Sequence, residues 1–169
     1  ISMTDGQLYF STTLFNKGVK PAIDFGLSVS RIGNKAQWPI MKEFSKSLRL
    51  DYLQYKELLQ MTQLRTTGLS KEAESKLRRG EAINQLIVQE KNKPVSMEEE
   101  ILYLYALNRG LLDNLSIGQT KHFKQDILAY ISKIYPQFSA SIRKTKELSE
   151  DAKQKIEEGL KNYFQEAIR

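Results

Sequence analysis

The sequence contains no cysteine and only one histidine, His122. The lack of cysteine excludes disulfides and thiolate metal sites. A single histidine also argues against a histidine-based metal site or a nucleophile triad. His122 lies near Lys121 and Lys124 on the predicted outer face of a helix, with no carboxylate spaced to orient it. We therefore interpret it as a solvated side chain rather than a catalytic one.

Long apolar runs and a phosphate-binding loop are missing as well. No stretch approaches the roughly 18 apolar residues of a membrane span, and the first residues lack the basic and apolar regions of a signal peptide. A phosphate-binding loop needs several glycines followed by Lys-Ser or Lys-Thr, and the chain has no such motif. We therefore expect that the isolated chain does not hydrolyse nucleotides.

The charge balance is basic, with a net charge of +6 and a pI near 9.4. Lysines and glutamates alternate along the chain, and the densest basic run, Lys76-Leu77-Arg78-Arg79, is short. A basic helical protein that binds nucleic acid is one alternative for such a composition. The interleaved charges instead favour a solvated surface that suits acidic partner subunits, and we predict no nucleic-acid partner.

Residues 1–35 differ in composition from the rest of the chain. Residues 7–15 are rich in aromatic and β-branched residues and follow the turn signal Asp5-Gly6, and residues 23–29 form a second extended run. Two short strands do not make an independently stable sheet. We therefore expect residues 1–35 to be the terminal strands of a truncated α/β nucleotide-binding domain.

From Ala36 onward the apolar residues recur with a helical period. Pro39 suits the first turn of a helix. Helix starts are predicted at Ser70, Ser96, Ser116 and Ser149. The predicted buried stripes are Leu48, Tyr52, Tyr55 and Leu59; Ile101, Leu104, Tyr105 and Leu112; Phe123, Ile127, Tyr130, Ile131 and Ile134; and Ile156, Leu160, Tyr163, Phe164 and Ala167. Residues 36–169 thus predict a bundle of about five or six helices, and the fold class is mainly α.

Two other clusters have simple structural interpretations. Glu98-Glu99-Glu100 could bind a metal, but a capping box with Ser96 and the favourable helix dipole explain it better, so no metal site is predicted. Trp38-Pro39 is interpreted as a packing wedge where the strands meet the helices, with a stacking platform for a base as the alternative.

Residues 26–33 predict the end of a short apolar strand that presents Arg31 between two glycines. The simpler interpretation is a surface arginine at a strand end. The alternative is a fixed guanidinium fork that reaches a ligand, since strand ends and the turns after them carry such groups in α/β proteins.

Several stretches together resemble the alpha subunit of the F-type rotary ATP synthase. They are residues 1–7, 14–18, 20–24, 26–33 and 48–58, with Arg79-Gly80, Pro94 and Met97-Glu98-Glu99. The resemblance runs through almost the whole chain, in order and spacing, and becomes mainly a helical pattern over the last 35 or so residues. It implies a fragment from the C-terminal part of that much longer subunit.

The resemblance assigns roles to particular residues. In this family the arginine of the Ser28-Val29-Ser30-Arg31 turn reaches across a subunit boundary into the catalytic site of the adjacent beta subunit, as an arginine finger. Ser2 and Gly6 match positions near the same phosphate, and Ser30 is expected to position the turn. In the alpha subunit's own non-catalytic nucleotide site, Gln89 matches a glutamine near the adenine. Lys91 replaces a second glutamine two positions later.

The resemblance also implies partners and a location. We expect ATP or ADP with Mg²⁺ in the full subunit, and none bound tightly by this chain alone. The expected partners are beta and gamma subunits in an alternating alpha–beta ring, peripheral on the cytoplasmic, matrix or stromal face of an energy-transducing membrane. Membrane contact would come only through the assembled complex. A stand-alone helical interaction module is the alternative function.

Overall fold

The computed structural model describes residues 4–64 and 69–166 of the 169-residue chain. Its N-terminal elements are short: β1 is Gly6–Gln7, α1 is Thr12–Asn16, β2 is Val29–Ser30 and α2 is Gly33–Ala36. The strands β1 and β2 pair antiparallel, with Gly6 opposite Ser30 and Gln7 opposite Val29. An isolated bridge between Phe10 and Ile23 extends this ribbon.

The predicted strand over residues 7–15 is wrong for its second half, which is helix α1. Ser11 begins that helix, because its hydroxyl oxygen accepts a hydrogen bond from the Leu14 amide at 3.3 Å. A serine cap can outweigh the β-propensity of the residues that follow it. The predicted strand over residues 23–29 is also mostly wrong. Asp24 folds residues 24–28 into a turn, so only Val29 and Ser30 lie in β2.

Seven helices follow in the part of the chain that the structure describes. They are α3 (Pro39–Ser45), α4 (Leu48–Leu64), α5 (Lys71–Ile87), α6 (Met97–Asn108), α7 (Ile117–Ile134), α8 (Phe138–Thr145) and α9 (Glu150–Glu166). Pro39 is at the start of α3, and Ser70, Ser96 and Ser116 are the N-caps of α5, α6 and α7, as predicted. The prediction for this part of the chain was about five or six helices. The structure has more because α3 and α4 are separate helices and because α8 was not predicted.

Helix α6 is the centre of the bundle. All seven residues from 101 to 107 are buried, and α3, α5 and α7 contact this helix. The remaining core comes partly from the predicted stripes of α4, α7 and α9, and α3, α5 and α8 also contribute buried side chains. One member was wrong: Ile134 is 46 % exposed at the end of α7. Ala167 lies outside the described residues.

The mainly α fold class is confirmed. The predicted boundary after residue 35 stays a prediction, and α2 runs across it.

Trp38 packs partly buried against the core, with the Lys146 ammonium 5.8 Å from its ring centroid, while His122 is exposed. None of the helices within residues 4–64 and 69–166 is long and apolar enough to cross a bilayer.

Candidate functional site

Arg31 directly follows β2 and is exposed. Its backbone amide donates a 2.8 Å hydrogen bond to the Asp5 carbonyl, which continues the ladder past the last paired strand residues. Among the described residues, no ion pair or side-chain hydrogen bond uses its guanidinium. The backbone of Arg31 is therefore fixed while its side chain remains available to a ligand outside this part of the chain.

Gly6 and Ser30 lie opposite each other on the ribbon that carries Arg31. A methyl group at Gly6 would overlap the Val29 carbonyl oxygen and lie 3.0 Å from the Ser30 Cα, so only glycine allows the two strands to approach this closely. The Ser30 hydroxyl oxygen accepts a 2.8 Å hydrogen bond from the Gly33 amide. These contacts give both residues a local role in shaping the turn. Ser2 lies outside the described residues.

Asp24 is the buried polar residue closest in sequence to this turn, with only 5 % of its surface exposed. Its Oδ1 accepts hydrogen bonds from the amides of Gly26 at 2.9 Å and Leu27 at 3.3 Å. Its Oδ2 is 2.7 Å from the Lys56 ammonium on α4. Burial alone would raise the pKa of Asp24, but the hydrogen bond and charge of Lys56, with the two amides, hold it below its usual value.

Gln89 and Lys91 form a second group, in the loop after α5. The backbone amide of Gln89 donates a 2.8 Å hydrogen bond to the backbone carbonyl of Lys20, which joins this loop to the N-terminal segment. Both side chains are exposed. A carboxamide can both donate to and accept from an adenine edge, whereas the lysine ammonium only donates. Of the two exposed side chains, Gln89 is therefore the more versatile in the hydrogen bonds that it can form.

A cavity of about 670 Å³ opens beside Gln89, between the α5–α6 loop and the start of α7. Its wall includes Val88, Val95, Tyr103 and Lys124. The Lys124 ammonium donates to the carbonyls of Leu86, at 3.0 Å, and Val88, and thereby satisfies the end of α5. Burial lowers the pKa of this lysine. The predicted position of Lys124 on the outer face of its helix is wrong, because the side chain is half-buried against α5 and its partners are carbonyls that no side-chain pattern shows.

The described site residues therefore fall into two places, with Gly6, Ser30 and Arg31 on the ribbon and Gln89 and Lys91 in the loop after α5. The contacts of the Asp24 carboxylate were not predicted from the sequence. A signal was available, since Asp followed two residues later by Gly is typical of a turn closed by the carboxylate. Its partner Lys56 could not be found from sequence, because it lies on another element. No cluster of acidic and histidine side chains among the described residues could hold a metal.

Comparison with known proteins identifies a family that this chain resembles. Residues 37–163 match the family described as ATP synthase alpha/beta chain, C terminal domain. The chain is also 37 % identical over 164 residues to ATP synthase subunit alpha of Petrotoga mobilis (strain DSM 10674 / SJ95), an alignment that covers 97 % of this chain and 32 % of that subunit. The chain thus spans about a third of the length of this curated relative. Because the family match covers most of the chain, the predicted resemblance to C-terminal alpha-subunit sequence is confirmed, and the chain belongs to the ATP synthase alpha/beta chain family.

Proposed function

We propose that this chain acts as the C-terminal part of an alpha subunit in the catalytic head of a proton-translocating F-type ATP synthase. In that head Arg31 is the arginine finger for the catalytic site of the adjacent beta subunit. The observation that carries the proposal is an exposed arginine on a fixed backbone at the end of β2. The family match supports the setting.

The chemistry follows from the guanidinium group. It is planar, permanently charged and offers a fork of donors that matches phosphate oxygens. During transfer, the charge on the γ-phosphoryl group is spread over three oxygens. In other phosphoryl-transfer systems an arginine finger stabilises this charge and raises the turnover rate by about 10³–10⁵-fold. Gly6 and Ser30 hold the strand end that delivers this group, and Ser2 is proposed as a hydroxyl donor near the same phosphate.

A second nucleotide, ATP or ADP with Mg²⁺, is proposed for the non-catalytic site of the full subunit, with Gln89 and Lys91 at its adenine. The nucleotide would supply the base and the phosphates, whereas this chain supplies only the exposed carboxamide and ammonium of the loop after α5. We expect this chain alone not to bind the nucleotide tightly, since it has no phosphate-binding loop motif.

The proposed partners are beta and gamma subunits, with the alpha and beta subunits alternating in a ring that is peripheral to an energy-transducing membrane. Capture of beta and gamma subunits by the full alpha subunit, but not by an unrelated helical bundle, would support this assembly. Salt-sensitive binding to random DNA would instead favour the nucleic-acid alternative.

The test of the proposed function is multi-site ATP hydrolysis by the assembled head. We expect Arg31→Ala to reduce turnover by about 10³-fold or more while nucleotide binding is largely retained. Arg31→Lys should also fail, because an ammonium does not reproduce the planar fork.

Arg78 offers a matched control, since it is half exposed on α5 and its ion pair with Glu74 is long, at 4.0 Å. Arg78→Ala and Arg78→Lys should leave turnover unchanged. Near-normal turnover of an assembled Arg31→Ala head would refute the catalytic assignment.

A further inference from the structure

The turn that leads into β2 is attached to helix α4 at two points. Lys56 on α4 pairs with the Asp24 carboxylate at 2.7 Å, and Arg49 on the same helix donates from Nη2 to the Gly26 carbonyl at 3.1 Å. Arg49 and Lys56 are seven positions apart, which places them on one face of the helix, two turns from each other. Helix α4 therefore holds both the start and the middle of the turn.

Asp24 also organises the turn from within. Its backbone amide donates to the Tyr9 carbonyl at 2.8 Å, and its carbonyl accepts from the Ser28 amide at 2.9 Å and the Ser28 hydroxyl at 2.6 Å. The Ser28 hydroxyl oxygen in turn accepts from the Tyr9 amide at 3.0 Å. Ser28 is the last residue before β2, so a continuous set of contacts joins Asp24 to the strand that ends at Arg31.

The Asp24–Lys56 pair has the most buried carboxylate of the lysine–carboxylate pairs in the described chain. The Asp24 side chain is 7 % exposed and that of Lys56 is 36 % exposed. The pair between Lys155 and Asp151 has the same 2.7 Å separation, but its side chains are 46 % and 70 % exposed and both lie on α9. A pair that is shielded from water and joins two elements constrains their relative position more than an exposed pair within one helix.

We propose that Asp24 is a positioning residue for Arg31, and that its pair with Lys56 fixes the arginine-bearing strand end on the helical bundle. This inference rests on the proposed function of Arg31. Because β1 and β2 are only two residues long, their ladder alone gives the ribbon little rigidity. The contacts from α4 supply what the ladder lacks. A displacement of α4 would then be transmitted through Asp24 to the guanidinium.

The test uses the full alpha subunit assembled with its partners. Asp24→Asn keeps a side-chain oxygen for the amides of Gly26 and Leu27 but removes the charge that pairs with Lys56. Asp24→Ala removes both interactions. Misplacing a catalytic group by about 1 Å can cost about 10²-fold in rate, so we expect a turnover loss of this order for Asp24→Ala and a smaller loss for Asp24→Asn. The nucleotide dissociation constant should stay unchanged, because neither variant alters a proposed nucleotide contact.

Matched variants separate positioning from general stability. Lys56→Met should reduce turnover, whereas Lys56→Arg should leave turnover close to that of the unsubstituted head because the cation is kept. Asp151→Asn, which removes an exposed pair of the same length, should have no effect. Hydrogen exchange gives an independent readout. The amides of residues 28–31 should exchange faster in the assembled Asp24→Asn subunit, while those of α6 stay protected.

A double-variant experiment then tests whether Asp24 acts through Arg31. When Arg31 is already alanine, Asp24→Asn should cause no further loss of the residual turnover. An equal fractional loss with and without Arg31 would overturn the inference while leaving the proposed function intact. Full turnover of assembled Asp24→Ala and Lys56→Met heads, beside an inactive Arg31→Ala head, would do the same. An active Arg31→Ala head would instead refute the proposed function itself.

Discussion

At the scale of the residue, two buried carboxylates stand out because each pairs with a cation from another element. Asp24 pairs with Lys56, and Glu98 pairs with the Nε of Arg143 on α8. The Glu98 side chain is only 4 % exposed, although it belongs to the first turn of α6. Glu99 forms the predicted capping box with Ser96. The capping role of Glu99 was thus predicted correctly, whereas the burial of the Glu98 carboxylate was not predicted.

The pH dependence of stability should identify Glu98. Its hydrogen bond with Arg143 holds its pKa below the usual value of 4.5. A lowered pKa in the folded state means that Glu98 stabilises the fold fully above 4.5, and that this stabilisation is lost as the pH falls through the lowered pKa. We expect Glu98→Gln to reduce the free energy of unfolding by about 1.5–3 kcal/mol at pH 7, measured by urea denaturation. The difference from the unsubstituted chain should shrink on acidification.

The neighbouring Glu100 provides the comparison for this measurement, since it lies in the same first turn but has no ion pair among the described residues, and burial raises its pKa instead of lowering it. Glu100→Gln should change the free energy of unfolding much less at pH 7. If the effect of Glu98→Gln stayed constant between pH 7 and pH 3, the charge on Glu98 would not be its cause.

At the scale of the element, the pair α4 and α5 depends on one glycine. A methyl group at Gly80 would overlap the ring of the buried Tyr55 across the helix contact. We therefore expect Gly80→Ala to destabilise the chain by about 1–3 kcal/mol through overpacking, although alanine favours a helix. Denaturant unfolding at constant pH measures this change.

Gly118 in the first turn of α7 is the natural control, because a methyl group there would have no neighbour within 4 Å. Gly118→Ala should be neutral or stabilise the chain by about 0.4–1 kcal/mol. A neutral Gly80→Ala variant would show that Tyr55 can move aside at no cost, contrary to the packing described above.

Helices α5, α6 and α7 were predicted from their capping serines, whereas α1, which Ser11 caps in the same way, was predicted as a strand and α8 was missed. Ser70, Ser96 and Ser116 each accept a hydrogen bond from an amide three residues later, so a short local pattern fixes those helix starts. Helix α8 begins after Gln137, whose side chain makes no capping hydrogen bond, and the sequence there offers no comparable signal. The division between α3 and α4 is equally unmarked.

The same distinction applies to the site. Ser30 and Arg31 could be singled out because their turn is a continuous stretch of sequence, whereas Gly6, on the opposite strand, was indicated as a site residue only by the family resemblance. The partner of Asp24 lies 32 positions away, on α4. Such a pair is fixed only when the bundle forms, which local sequence patterns cannot predict.

At the scale of the whole molecule, apolar burial is uneven. The bundle encloses most of its large apolar side chains around α6, whereas the much shorter N-terminal segment leaves several of them in water. The exposed set on that segment consists of Leu8, Tyr9, Phe10, Phe15, Leu27, Val29 and Ile32, each between 45 % and 68 % exposed. Soluble monomers rarely leave large contiguous apolar patches uncovered.

We therefore expect the 169-residue chain, taken alone, to self-associate through its N-terminal segment. Sedimentation velocity over a range of concentrations should show reversible association, and Leu8→Lys or Phe10→Lys should weaken it, because a charged side chain resists transfer out of water. Ile117 is the control, since it is 73 % exposed but lies on the bundle, at the start of α7. Equal weakening by Ile117→Lys would place the contact on the bundle instead. A chain that stays monomeric at every concentration would show that the exposed set is too dispersed to drive association.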